Sequence, residues 1–393
     1  MQRVEKSWIE RADEETPLSQ QDFIEEVKGD EKIFIASYFQ LMWWRFLKHK
    51  MALISAVIII LFYLIAIFAE FVAPYIPDNS FVQFKLAPPT EIHIVDSTGR
   101  WQRPFIYKTI RDRDPNTLRI TYVEDTETIY PIRFFVEGPE YKILGRWSAS
   151  THLFGVDAPR EEMGFFLLGA DRLGRDLFSR VCYGARISLT IGLVAVVISL
   201  VVGIVLGGIS GYYGGAIDNA IQRLIEFIRS IPEIPLIMAL AAALPADLPV
   251  VQLYFGITVV LAFVGWTGLA RVVRGRFLSM REEDFVMAAR FAGSSEMRII
   301  LRHMMPSFLS HIIASLTLSI PGIILSETGL SFLGLGLRAP AISWGVLLQE
   351  AQNIRSVALA PWVLLPALAV ILTVLAFNFL GDGIRDAADP YAK

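Results

Sequence analysis

Five stretches of this chain, residues 51–69, 187–217, 248–270, 304–326 and 357–380, contain no Asp, Glu, Lys or Arg. A membrane-spanning helix needs about 20 mostly apolar residues, because backbone groups in hydrocarbon must bond one another. The 393-residue chain is 54% hydrophobic, and that excess is gathered into these blocks rather than spread along the sequence. Its mean hydropathy is +0.48, too high for a soluble core alone. A shorter apolar run, 234–246, follows a charged helical lead-in and reads as the end of another span. The pattern predicts an all-α membrane protein with six spans, the third built from that lead-in and short run.

Basic residues beside short loops set the expected orientation. Arg45, Lys48 and Lys50 precede the first span; Arg223 and Arg229 follow the second; Arg271, Arg274, Arg276 and Arg281 follow the fourth. Both termini are then cytoplasmic. A net charge of -3 gives no reason to expect nucleic acid as a partner. Cys182 is the only cysteine, so no internal disulfide is possible. The acidic, polar start is unlike a cleavable signal peptide.

The expected organisation is a cytoplasmic tail over 1–32, an interfacial helix and first span over 33–73, an extracytoplasmic insertion over 74–185, and a transmembrane core over 186–393. Within the insertion, RITYVEDTETIYPIRFFV at 119–136 places two β-branched and aromatic runs around a polar centre and reads as a hairpin. Short strands are expected at 92–95 and 140–144. The stretch 168–189 alternates glycines with Asp171, Arg172, Arg175, Asp176, Arg180 and Arg186, charges suited to pairing with one another.

Gly203, Gly207, Gly211 and Gly215 recur every fourth residue, which puts small residues on one helical face and allows close approach by a neighbour. Asp218, Arg223, Glu226 and Arg229 are spaced to pair along one helix. Glu233, between Pro232 and Pro235, and His311 are the candidates for lining a translocation route, since ionisable residues within spans mark pathways or buried pairs.

The segment 282–306 is a charged interlude between two apolar runs. Glu282, Glu283 and Asp284 suit the positive end of a helix, Ala288 and Ala289 leave little side-chain bulk, and Gly293 supplies a stop. Ser294 or Ser295 caps a second helix, and Pro306 marks the turn into the next run. This helix–break–helix resembles the EAA loop of permease subunits from ATP-driven importers. Ala288-Ala289, Gly293 and Met305-Pro306 match its pattern, whereas Met287 stands where the family usually has glutamate. Three further stretches, LGADRLGRDLFSRVCYGARISL, ETGLSFLGLGLRAPAISWG and FNFLGDGIRDAADP, resemble the C-type permeases of dipeptide and oligopeptide importers.

The resemblance implies a MetI-like, six-helix type I importer core carrying a small β-containing insertion, in a prokaryotic inner membrane. It implies pairing with a second, homologous permease, two cytoplasmic ATPase subunits and an extracytoplasmic solute-binding protein. ATP and Mg would belong to the ATPases, with no cofactor on this chain. Phe285, Met287, Ala288, Ala289, Phe291, Gly293, Met297 and Pro306 are the expected coupling residues. No G-x-x-x-x-G-K-[ST] phosphate cradle occurs in the sequence, so energy must come from a partner or an ion gradient. An importer of oligosaccharides or metal chelates, and an ion-coupled secondary transporter, are the alternatives. An intramembrane enzyme finds no support: neither H-E-x-x-H nor G-x-S-x-G occurs.

Overall fold

The computed structural model describes residues 38–388 except 114, 116–119, 144, 160–163 and 246; the expected tail at 1–32 lies outside them. Helix α1 (Tyr38–Lys48) meets α2 (Lys50–Ile67) at His49, whose Nδ1 accepts the Ala52 N–H at 3.1 Å and caps α2. A short α3 (Ala69–Val72) extends α2. Then come α4 (Leu177–Tyr213), α5 (Gly215–Ser230), α6 (Glu233–Ala242), α7 (Val250–Met280), α8 (Asp284–Phe291), α9 (Leu309–Phe332), α10 (Trp344–Leu348) and α11 (Leu365–Ala388).

Among the described residues, five helices are long and apolar enough to cross a membrane: Lys50–Ile67, Leu177–Tyr213, Val250–Met280, Ile312–Phe332 and Pro361–Ala388. The expected third span is not among them. Its apolar run forms α6, which has only 10 residues. Such a helix is about 15 Å long, half the hydrocarbon thickness. Ile231 explains the break: it precedes Pro232 and is held extended (φ -90°, ψ 133°), as pre-proline sterics favour, so α5 cannot continue into α6.

The main helical contact is α4 on α7. A Cβ on Gly203 would sit 3.0 Å from Leu269, one on Gly207 would strike the Ala270 backbone, and one on Gly211 would lie 2.6 Å from Phe277. The backbones therefore approach more closely than any larger residue permits. Gly215 lies outside this seam; with Gly214 it takes positive φ and turns the chain from α4 into α5. A second core joins α2, α4, α9, α10 and α11 around Trp344 and Phe377. The Trp344 indole Nε1 donates to the Val181 carbonyl at 3.0 Å, so the ring is buried without an orphaned donor.

The insertion carries an antiparallel sheet in the order β1 (His93–Val95), β2 (Trp101–Arg113), β3 (Ile120–Ile143), β4 (Trp147–Val156). The hairpin expected within 119–136 is not formed, because residues 120–136 belong to the single strand β3. The polar centre is a bulge instead. Register jumps from Tyr107↔Ile129 to Lys108↔Asp125, and Asp125 accepts the Glu127 N–H at 3.0 Å and the Thr128 hydroxyl at 3.1 Å. β1 falls at the first expected short strand; the second is the end of β3. Phe154 packs on Phe178 at the start of α4, with ring centroids 5.6 Å apart, and the His152 Nδ1 donates to the Ala73 carbonyl at 2.6 Å. The sheet thus sits against one end of α4.

Candidate functional site

The segment 284–306 sits at the other end of α4. The Tyr213 hydroxyl donates to the Glu296 carboxylate at 2.7 Å, and the Arg290 guanidinium lies 5.7 Å from the Tyr212 ring centre. Glu283 is the N-cap of α8 in extended conformation, and Asp284 occupies the first turn, where the helix dipole favours negative charge. Gly293 closes the helix at φ +75°, a left-handed conformation suited to glycine. Its N–H bonds the Arg290 carbonyl at 3.0 Å, and that of Ser294 bonds the Ala289 carbonyl at 3.1 Å. Ser295 takes the next N-cap position without a side-chain cap bond. From there Glu296–Arg298, a π-helical turn at Ile299–Met304 and Met305–Ser307 lead into α9. Pro306 lies in the last of these turns, which ends at Phe308 immediately before α9.

One face of this elbow is anchored. Val286, Ala289, Ile299 and Met304 are buried with Phe277 and Tyr212. The opposite face is bare. Phe291 is 85% and Met297 64% exposed, and Phe285, Met287, Ala288 and Gly293 are also exposed. The alanine pair does not make one small-residue face, because successive helical residues diverge: Ala288 points out and Ala289 in.

Where α6 stops short, a cavity of about 360 Å³ opens between α4, α5, α6, α7 and α9. Glu233 and Arg229 line it together with Ser199, Thr267, Ser319 and Ser326. Glu233 thus lines the same cavity as Arg229, whose spacing on α5 also suits it to pairing along that helix. His311 lies in α9, with its side chain outside the described residues.

Charged groups pair both across the fold, at separations no spacing rule reaches, and within a turn of one another. Arg186 forks onto Glu70 at 2.8 and 2.7 Å, tying α4 to α3. Arg274 forks onto Asp218 at 2.5 and 2.6 Å, and Ser210 donates to the same carboxylate, so Asp218 does not join the Arg223–Glu226 pair on its own helix. The hydrogen bonds from Arg274 hold the Asp218 pKa below the usual carboxylate range. Arg175 bonds Asp171 at 2.6 Å and approaches Glu350 at 3.7 Å. Asp176 caps α4 by accepting the Ser179 N–H at 2.7 Å, and burial pushes its pKa up to about 6. Glu327, fully buried in α9, accepts hydroxyls from Ser188 at 3.3 Å and Ser331 at 2.9 Å. Its i, i+4 spacing to Ser331 was the only available sequence signal.

Residues 203–393 match the family described as binding-protein-dependent transport system inner membrane component, and residues 37–89 match the N-terminal TM domain of oligopeptide transport permease C. The chain is 34% identical over 352 residues to the glutathione transport system permease protein GsiD of Escherichia coli O1:K1 / APEC, covering 89% of this chain and 90% of that one. The GsiD of Shigella flexneri serotype 5b (strain 8401) is 35% identical over the same shares. A chain from inward-facing conformations of the MetNI methionine ABC transporter aligns with a TM-score of 0.43 at 18% identity, covering 54% of this chain and 98% of that one. The chain belongs to the binding-protein-dependent permeases, the membrane-embedded transport components of ABC systems.

Proposed function

We propose that this chain forms half of the translocation pathway of an ATP-driven importer of dipeptides or oligopeptides, with a second, homologous permease supplying the other half. In this reading the elbow faces the cytoplasm and seats on one of two ATPase subunits, which bind the ATP and Mg. The sheet lies outside, below a solute-binding protein, and both termini are cytoplasmic. The observation that carries the reading is the two-sided elbow. Its inner face is locked to α4 and α7, while Phe291 and Met297 present apolar area that none of the described residues covers. A partner that grips this face moves the spans with it, provided it grips the two transport states unequally. Glu233 and Arg229 add support for a zwitterionic solute, since a cavity with one group of each sign can pair both ends of a peptide.

The test is ATP-driven uptake in proteoliposomes holding both permeases, the ATPases and the binding protein. Phe291→Asp should reduce uptake of a labelled peptide about tenfold or more, in line with the loss of a central interface contact, while membrane insertion stays normal. Normal uptake by that variant would remove the elbow as the docking element. Ala289 is a poor choice for this test because it is buried in the chain's own core. Uptake of an oligosaccharide or metal chelate instead of peptides would keep the mechanism and change the substrate.

A further inference from the structure

We propose that Phe134 and Phe135 of β3 enter the headgroup layer of the bilayer and anchor the sheet to the membrane surface. In a regular strand successive side chains point to opposite faces, so a half-covered sheet hides one of each adjacent pair. Here both are bare: Phe134 is 72% and Phe135 67% exposed. Phe135 also sits at φ +57°, in the left-handed region that a bulky side chain normally avoids. The strain persists although neither ring is buried among the described residues, which points to a contact beyond them.

The position of this pair identifies the contact. Val57, Leu61, Leu64 and Phe68 recur at helical spacing as an exposed stripe along α2. That stripe continues to Phe71 in α3, whose ring lies 6.3 Å from that of Phe135. From Lys50, at the start of α2, to Phe71 is about 31 Å at helical rise, the thickness of the hydrocarbon core. The lipid-facing surface of the first span therefore runs directly onto the Phe134–Phe135 pair, at the depth where aromatic side chains gather in membrane proteins. Arg133, adjacent and exposed, pairs with Asp157 at 3.4 Å and keeps the polar edge of the patch beside the aromatic one.

The full chain in phosphatidylcholine nanodiscs tests this. With Cys182→Ser removing the only cysteine, single cysteines at Phe134→Cys, Phe135→Cys and Val123→Cys carry an environment-sensitive fluorophore. Val123 is exposed and lies twelve residues back along the same strand, roughly 40 Å away at most. Lipid-borne nitroxides near the headgroup should quench positions 134 and 135 about threefold more than position 123, as expected for side chains held 5–10 Å into the interface. Equal exposure of all three labels to an aqueous quencher would overturn the proposal. So would protection that appears only when the solute-binding protein is added, since the face would then belong to that partner. Phe135→Gly relieves the backbone strain and should leave the unfolding temperature in detergent unchanged or higher. A marked fall would make Phe135 part of the fold and also overturn the anchor. The proposal holds for either orientation of the chain, so its failure leaves the coupling role of the elbow standing.

Discussion

Two carboxylates with opposite environments make the molecule's response to pH legible residue by residue. Asp176 is buried and its folded pKa, about 6, lies above the ordinary value of about 3.9. A raised carboxyl stabilises the fold below its unfolded pKa, and that contribution is lost as pH rises through the folded one. Asp176→Asn keeps the cap, because asparagine accepts the same N–H. It should abolish the fall in thermal stability between about pH 4 and 6 expected of the wild type in detergent. Asp218 has the opposite sign, since Arg274 holds its pKa down. It stabilises above the ordinary carboxylate range and loses that contribution as pH falls through its depressed value. Asp218→Asn should cost about 1–3 kcal/mol at neutral pH, the range for weakening hydrogen bonds to a charged group, read from thermal unfolding.

At the scale of elements, the α4–α7 seam is the most exacting contact. Gly207→Leu should destabilise by at least the roughly 1–3 kcal/mol typical of overpacking, because the obstacle is the Ala270 backbone and cannot rotate away. Gly275→Ala, on α7 with nothing near its added Cβ, should be neutral or stabilising as a helix-interior glycine replaced by alanine. Comparing the two unfolding temperatures separates packing from propensity. The spans were legible in the sequence because apolar length is a one-dimensional property. The short α6 was less so: the run 234–246 carries the right residues, and Pro232 had to be read as a chain break rather than as punctuation inside a span. The strands were visible but their turns were not, since EDTET has turn composition whether it bends the chain or bulges within β3. In the elbow, Gly293 and the acidic first turn could be read directly. The division of Ala288 from Ala289 needed the buried partners of Val286. Arg186 and Glu70 are 116 residues apart, and no spacing rule reaches that far.

At the scale of the whole molecule, α4 holds the rest together: the sheet meets its first turn and the elbow its last. Cys182 lies near the sheet end of this helix and is buried. A maleimide should therefore label the folded chain only as fast as the structure opens around α4. Labelling and loss of tertiary signal should follow one time course in detergent, and fast labelling of the native state would contradict the packing described above. The 37 residues of α4 form a rod about 55 Å long. Pivoted at its centre, such a rod swings each tip by about 2 Å for every 5° of tilt. A displacement of about 2 Å delivered at Tyr213 would thus move the contacts around Phe178 at the far end of the helix by as much, with no relay of side chains in between.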